Sequence, residues 1–146
     1  MPKKTKARIL HVDDNQDTRL LMAAVLGDAQ YGVMTAGTVS EALQLAREVE
    51  FDLFILDIRL EDGTGIELCQ KLREVQPNVG VLYYSAYAGD SEQQKALSIC
   101  GDAYLRKPVG IADLEEAVAN LLLKKGIGIP EETKKPTEEP APQPPA

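Results

Sequence analysis

Phe51-Asp52-Leu53-Phe54-Ile55-Leu56-Asp57 decides the fold of this chain. Residues 51–56 form a near-continuous apolar run, and Asp57 ends it. A strand with one wet face alternates apolar and polar residues. A run with almost no polar member reads as a strand buried on both faces, as in a parallel sheet covered by helices. Four other short segments read as strands. Residues 7–12 stop abruptly at Asp13-Asp14-Asn15, and residues 31–36 follow. Residues 79–84 end at Ser85-Ala86, and residues 103–106 end at Lys107-Pro108.

Helical patterns fill the intervals. After the first strand, Leu21, Ala24 and Val25 mark one side of a helix. Thr38-Val39-Ser40-Glu41 is a capping box, and Ala42, Leu45, Ala46 and Val49 follow at i, i+3, i+4, i+7 spacing. The loop Glu61-Asp62-Gly63-Thr64-Gly65 leads to a helix with Leu68, Leu72 and Val75 at turn spacing. A more polar helix is expected over 90–100, capped by Asp90 and anchored by Ala96, Ile99 and Cys100. The last helix carries Ile111, Leu114, Val118, Leu121 and Leu122. Strand and helix thus alternate five times. Such alternation predicts an α/β fold, a five-stranded parallel sheet with right-handed crossovers and helices on both faces. Five units in about 120 residues fit the flavodoxin-like order 2-1-3-4-5 better than a six-stranded dinucleotide fold.

The chain of 146 residues holds one such domain, expected over 7–125, between a basic segment 1–6 and a tail over 126–146. Six of the nine prolines fall in that tail among Glu, Lys and Thr, so it is expected to be an extended linker. The net charge of −7 disfavours direct binding to nucleic acid or anionic membranes. No apolar run suits a signal peptide or the ~18 residues of a membrane span, which predicts a soluble cytoplasmic protein. Cys69 and Cys100 lie far apart with no CxxC partner, so each is read as a small buried hydrophobe rather than as half of a disulfide or a zinc site. His11, the sole histidine, lies inside a strand and is read as packed or hydrogen-bonded.

In open parallel sheets, ligands bind beyond the carboxyl ends of the strands, where the strand order reverses. Asp13, Asp14, Asp57, Ser85 and Lys107 all stand at such ends. Two unit charges ~4 Å apart interact by about 4 kcal/mol at an effective dielectric of 20. Three clustered carboxylates would therefore strain a fold of typical ~5–15 kcal/mol stability, and Lys107 balances only one of them. Such a site holds a proton through a raised pKa or holds a cation, for which Mg2+ is the suited ion. A carboxylate beside that metal can attack phosphorus, with Lys107 and Ser85 on the remaining phosphoryl oxygens.

In type, order and spacing this set resembles the response regulator receiver domain of two-component signalling, over about residues 7–125. The resemblance implies that Asp57 is the phosphoryl acceptor. It implies that Asp14 and Asp57 ligate Mg2+ directly, Asp13 through water, and Arg59 by its backbone carbonyl. Ser85 and Tyr104 would be the switch pair that remodels the face of the fourth helix, fifth strand and fifth helix. The donor would be a sensor histidine kinase or a histidine phosphotransfer protein, and the output partner is unknown. Such a chain is a signalling switch that catalyses only its own phosphorylation and dephosphorylation, as a monomer or a phosphorylation-dependent dimer. Leu60-Glu61 replaces the family's common Met-Pro, while Asp62-Gly63 is kept. Bulky side chains at Arg59 and Tyr87 are expected to hinder the attacking water and prolong the phosphorylated state; an unchanged decay rate in a double Ala variant would refute this.

Other readings differ in testable ways. A haloacid-dehalogenase-like phosphatase also uses an Asp nucleophile, but in an Asp-x-Asp motif after its first strand. A phosphorylation-independent binding module on the same fold usually lacks an acidic ligand or the acceptor. Flavodoxin cradles phosphate with a Ser/Thr/Gly loop where this chain has two carboxylates.

Overall fold

The computed structural model describes residues 7–86 and 89–126. The expectations for residues 1–6, Tyr87 and residues 127–146 lie outside the described residues. Five strand–helix units follow one another: β1 (Arg8–Val12), α1 (Gln16–Asp28), β2 (Gly32–Ala36), α2 (Val39–Glu48), β3 (Leu53–Leu56), α3 (Gly65–Val75), β4 (Gly80–Ser85), α4 (Asp90–Ile99), β5 (Ala103–Arg106) and α5 (Ile111–Lys124). A small antiparallel ribbon, Arg59–Leu60 with Gly63–Thr64, joins β3 to α3. The main sheet is parallel throughout, in the order β2-β1-β3-β4-β5. This is the flavodoxin-like order that the strand count favours.

Side chains on a strand alternate between faces, and here the alternation sorts them into two cores. Leu10, Val12, Phe54, Leu56, Val81 and Tyr83 pack with α2, α3 and α4. Ile9, Leu53, Ile55 and Leu82 pack with α1 and α5 through Met22, Leu26, Leu114 and Val118. The central strands are therefore buried on both sides, and all four residues of β3 are fully buried. Burying each such side chain contributes roughly 1.5–3 kcal/mol.

Thr38 caps α2 by accepting from the Glu41 amide, while the Glu41 carboxylate reaches one residue further back, to the Gly37 amide. Asp62 closes the same helix start from the ribbon by accepting from the Val39 and Ser40 amides.

Four expectations need correction. In α1 the buried residues are Met22 and Leu26, while Leu21 is 61% exposed. Residues 20–26 are apolar without interruption, so periodicity leaves the phase of that helix open. Asp90 is the first helical residue of α4, not its cap; Gly89 holds the cap position, and its amide donates to the Glu92 side chain. Cys69 and Cys100 are joined in a disulfide. The α3 and α4 helices share one face of the sheet, which brings the two Cα atoms to 6.1 Å, within the reach of a bridge. A sequence separation of 31 hides that adjacency. Val75, Ile99 and Ile111, expected as anchors, are exposed at the margins of their helices.

Candidate functional site

The sheet carries the site residues one step past its strands. The Asp13 amide donates to the Ala36 carbonyl, the Asp57 amide to Val12, and the Lys107 amide to Ser85. Each residue after a strand thus inherits the register of the hydrogen-bond ladder and is not left to a loose loop. Asp13 and Asp57 also continue the parity of Ile9 and Ile55 along their strands, whereas Ser85 continues that of Tyr83.

Three carboxylates meet there. Asp13, Asp14 and Asp57 each offer an oxygen within 4.8 Å of the others. Asp13 is fully buried, Asp57 is nearly so, and Asp14 is exposed. The Lys107 ammonium donates to Asp13 at 2.7 Å and to Asp57 at 3.3 Å. It also lies 5.5 Å from the centre of the Tyr84 ring. The peptide between Lys107 and Pro108 is cis.

Asn15 and Arg19 complete the frame. The Asn15 amide donates to Asp13 Oδ1, while its own side chain caps α1 by accepting from Thr18. Arg19 donates to the Asp13 backbone carbonyl at 2.7 Å. The cap at Asn15 went unremarked in the sequence, although Asn between a strand and a helix is a favoured cap residue. Arg19 carried no sequence signal, because its partner is reached only once the first helical turn has formed.

Burial raises the Asp13 pKa, against the opposing effect of its hydrogen bonds from Lys107 and the Asn15 amide and with a further rise from the Asp57 charge. Burial alone would lower the Lys107 pKa, but the Asp13 hydrogen bond and the Asp57 and Asp13 charges outweigh it and the net shift is upward. The Lys107 shift reflects the two carboxylates that face one ammonium. His11 sits below, its Nε2 3.8 Å from Asp13, with neither ring nitrogen hydrogen-bonded among the described residues. Burial first, then the Lys107 and Arg19 charges, lower its pKa to about 3, so it is neutral. It is packed, not hydrogen-bonded.

Ser85 is fully buried at the end of β4. A hydrogen bond to Ser85 opposes the burial that raises the Tyr104 pKa, and the Asp57 charge raises it further. The Tyr104 ring packs at a tilt against Tyr83, with centroids 5.8 Å apart. The structure thus brings Asp13, Asp14, Asp57 and Lys107 together and ties Ser85 to Tyr104. Arg59 is exposed in the ribbon two residues after Asp57, and Tyr87 lies outside the described residues.

Gly65 went unremarked as a site residue in the sequence. A Cβ there would overlap the Asp57 backbone carbonyl, and the Gly65 amide donates to the Ile58 carbonyl at 2.7 Å. The start of α3 therefore presses directly on the chain at Asp57. The donor set is all oxygen and chiefly carboxylate, which fits a hard cation such as Mg2+.

Many known proteins are similar to this chain in sequence and fold. Residues 9–119 match the family of the response regulator receiver domain. The response regulator protein PilR of Pseudomonas aeruginosa is 34% identical over 118 residues, covering 81% of this chain and 26% of that protein. The signal transduction histidine-protein kinase BarA of Escherichia coli is 32% identical over 130 residues, covering 86% of this chain and 14% of that protein. The chain therefore spans about a quarter or less of these relatives. A CheY-like response regulator receiver domain protein from Methanospirillum hungatei superposes with a TM-score of 0.79 at 31% identity, covering 84% of this chain and 98% of the other. Acidic residues at the ends of the central strands, a lysine at the end of the last, and this strand order have the same meaning in sequence and in structure: the chain belongs to the response regulator receiver domain family.

Proposed function

We propose that this chain is a phosphoacceptor receiver of a two-component phosphorelay, with Asp57 as the acceptor. The observation that carries the reading is the Lys107 ammonium shared between Asp13 and Asp57 beside a third carboxylate, Asp14. A carboxylate oxygen of Asp57 forms the bond to phosphorus as the bond from phosphorus to the donor's imidazole nitrogen breaks. The imidazole leaves with that electron pair. Lys107 balances charge on a phosphoryl oxygen and Ser85 donates to another. Asp14 and Asp57 would hold Mg2+ directly, with Asp13 through water and the Arg59 carbonyl. When bound, the ion would supply charge neutralisation for phosphoryl transfer.

Tyr104, tied to Ser85 and sensing the Asp57 charge, would carry the change to the face of α4, β5 and α5. The output partner would bind there. The donor would be a sensor histidine kinase or a histidine phosphotransfer protein. Support for its docking comes from exposed Leu21 and Ile111, which leave apolar surface on α1 and α5 beside Thr18, Tyr84 and Val109. The unit that performs these steps is residues 7–125. Among the described residues no helix is long and apolar enough to cross a membrane.

Intact mass after incubation with acetyl phosphate and Mg2+ tests the assignment. The expected result is a gain of one phosphoryl group, absent in Asp57→Asn and absent without Mg2+. No gain, together with no binding of beryllofluoride, would refute the reading and leave a phosphorylation-independent binding module.

A further inference from the structure

We propose that the Cys69–Cys100 pair is a reversible redox latch that fixes the C-terminal end of α4. Among the described residues α4 is lightly held: Ala96 is the only residue within its span that is buried, its cap Gly89 contributes backbone bonds and no side chain of its own, and Ile99 is 44% exposed. Its C-terminal end, in contrast, is gripped at Cys100. The Cys100 sulfur is bonded to Cys69, fully buried in the middle of α3. The Cys100 carbonyl accepts from the Tyr83 hydroxyl at 2.6 Å. Next to it, Gly101 has φ +111°, and a Cβ there would overlap the Tyr83 ring, which itself packs against Tyr104.

A covalent link at this one point changes what the end of α4 can do. With the bond closed, fraying of the last turn is tied to α3, a helix of the main core. With it open, the two thiols fill the same space as small hydrophobes, so the domain keeps its fold while the helix end gains freedom. Oxidation removes two electrons and two protons from the thiols. With a hydroperoxide as oxidant, hydrogen peroxide takes them up and leaves as two waters. A dithiol reductant returns both thiols and becomes a cyclic disulfide. Cys100 keeps 8% exposure, so opening of the helix end gives the reagents their access. The latch stands apart from the phosphoacceptor reading, since it needs neither Asp57 nor a metal.

The full chain, unphosphorylated and free of Mg2+, tests it. Half is treated with hydrogen peroxide and half with dithiothreitol. Iodoacetamide labelling under denaturing conditions then counts thiols by intact mass, with none expected in the first sample and two in the second. Amide hydrogen exchange is compared between the two. Exchange across 96–102 is expected to be about tenfold or more faster in the reduced chain, with β1 and β3 unchanged. A Cys69→Ala/Cys100→Ala variant should show the fast exchange under both treatments. Two labelled thiols after peroxide would overturn the proposal. Equal exchange in the two states would overturn it as well, and so would a change spread evenly over β1 and β3, which would mark a global staple.

Discussion

Asp57 owes its position to its neighbours' backbones. Its amide is fixed by Val12, and its carbonyl occupies the space that a side chain on Gly65 would need. Neither partner is a flexible side-chain tip, so an added methyl group cannot be accommodated by rotation. Gly65→Ala is therefore expected to lower stability by about 1–3 kcal/mol through overpacking, and to slow phosphoryl uptake more than this loss explains, because the backbone that gives way is that of the acceptor. Urea unfolding and the rate of mass gain under folded conditions separate the two effects; an unperturbed uptake rate would show that the contact relaxes elsewhere. At this scale the sequence was informative where a polar residue followed an apolar run. Asp13, Asp14, Asp57 and Lys107 were legible for that reason. The caps that Asp62 gives α2, the pairing of Cys69 with Cys100, and the pressure of Gly65 on Asp57 were not, because each joins residues that only tertiary packing brings together.

The elements were legible to differing degrees, for a common physical reason. Strands β3 and β4 announce themselves because burial on both faces demands an apolar run, and helices α2 and α5 because one buried face demands periodicity. Helix α1 satisfies both descriptions over residues 20–26, so its direction of packing is set by what it meets and not by its own pattern. It meets the sheet face that it shares with α5 through Met22 and Leu26 and leaves Leu20 and Leu21 outside. Leu26→Ala is expected to cost about 2–5 kcal/mol, the range for a large-to-small change in a packed core. Leu21→Ala should stay within about 0.5 kcal/mol of the parent, as surface changes do. Chemical denaturation of the two variants checks the assignment, and an equal loss in both would mean that α1 is rotated from the face described. If Leu21 serves donor docking, its replacement should still slow transfer from a phosphohistidine protein while leaving uptake from acetyl phosphate untouched.

The whole molecule places two apolar cores back to back across one sheet and gathers its uncompensated charge at one end of it. Folding brings Asp13, Asp14 and Asp57 together against a net charge already at −7, so their clustering stores repulsion that the rest of the fold offsets. A bound divalent cation would turn that repulsion into attraction. At ten times its dissociation constant it would stabilise the folded state by about 1.4 kcal/mol. That is roughly 4–8 °C in Tm for a domain of this size. Sodium chloride at matched ionic strength would only screen the charges and should give a smaller rise. Asp14→Asn sharpens the comparison, because Lys107 is bonded to Asp13 and Asp57 and not to Asp14. Losing the Asp14 charge removes repulsion without breaking either ion pair. The variant should therefore melt at or above the parent in EDTA and below it in Mg2+. Thermal unfolding of both proteins in the two conditions reads this crossing directly. Parallel shifts in Mg2+ and in sodium chloride, with no crossing, would show that the cluster responds to ionic strength alone and holds no ion.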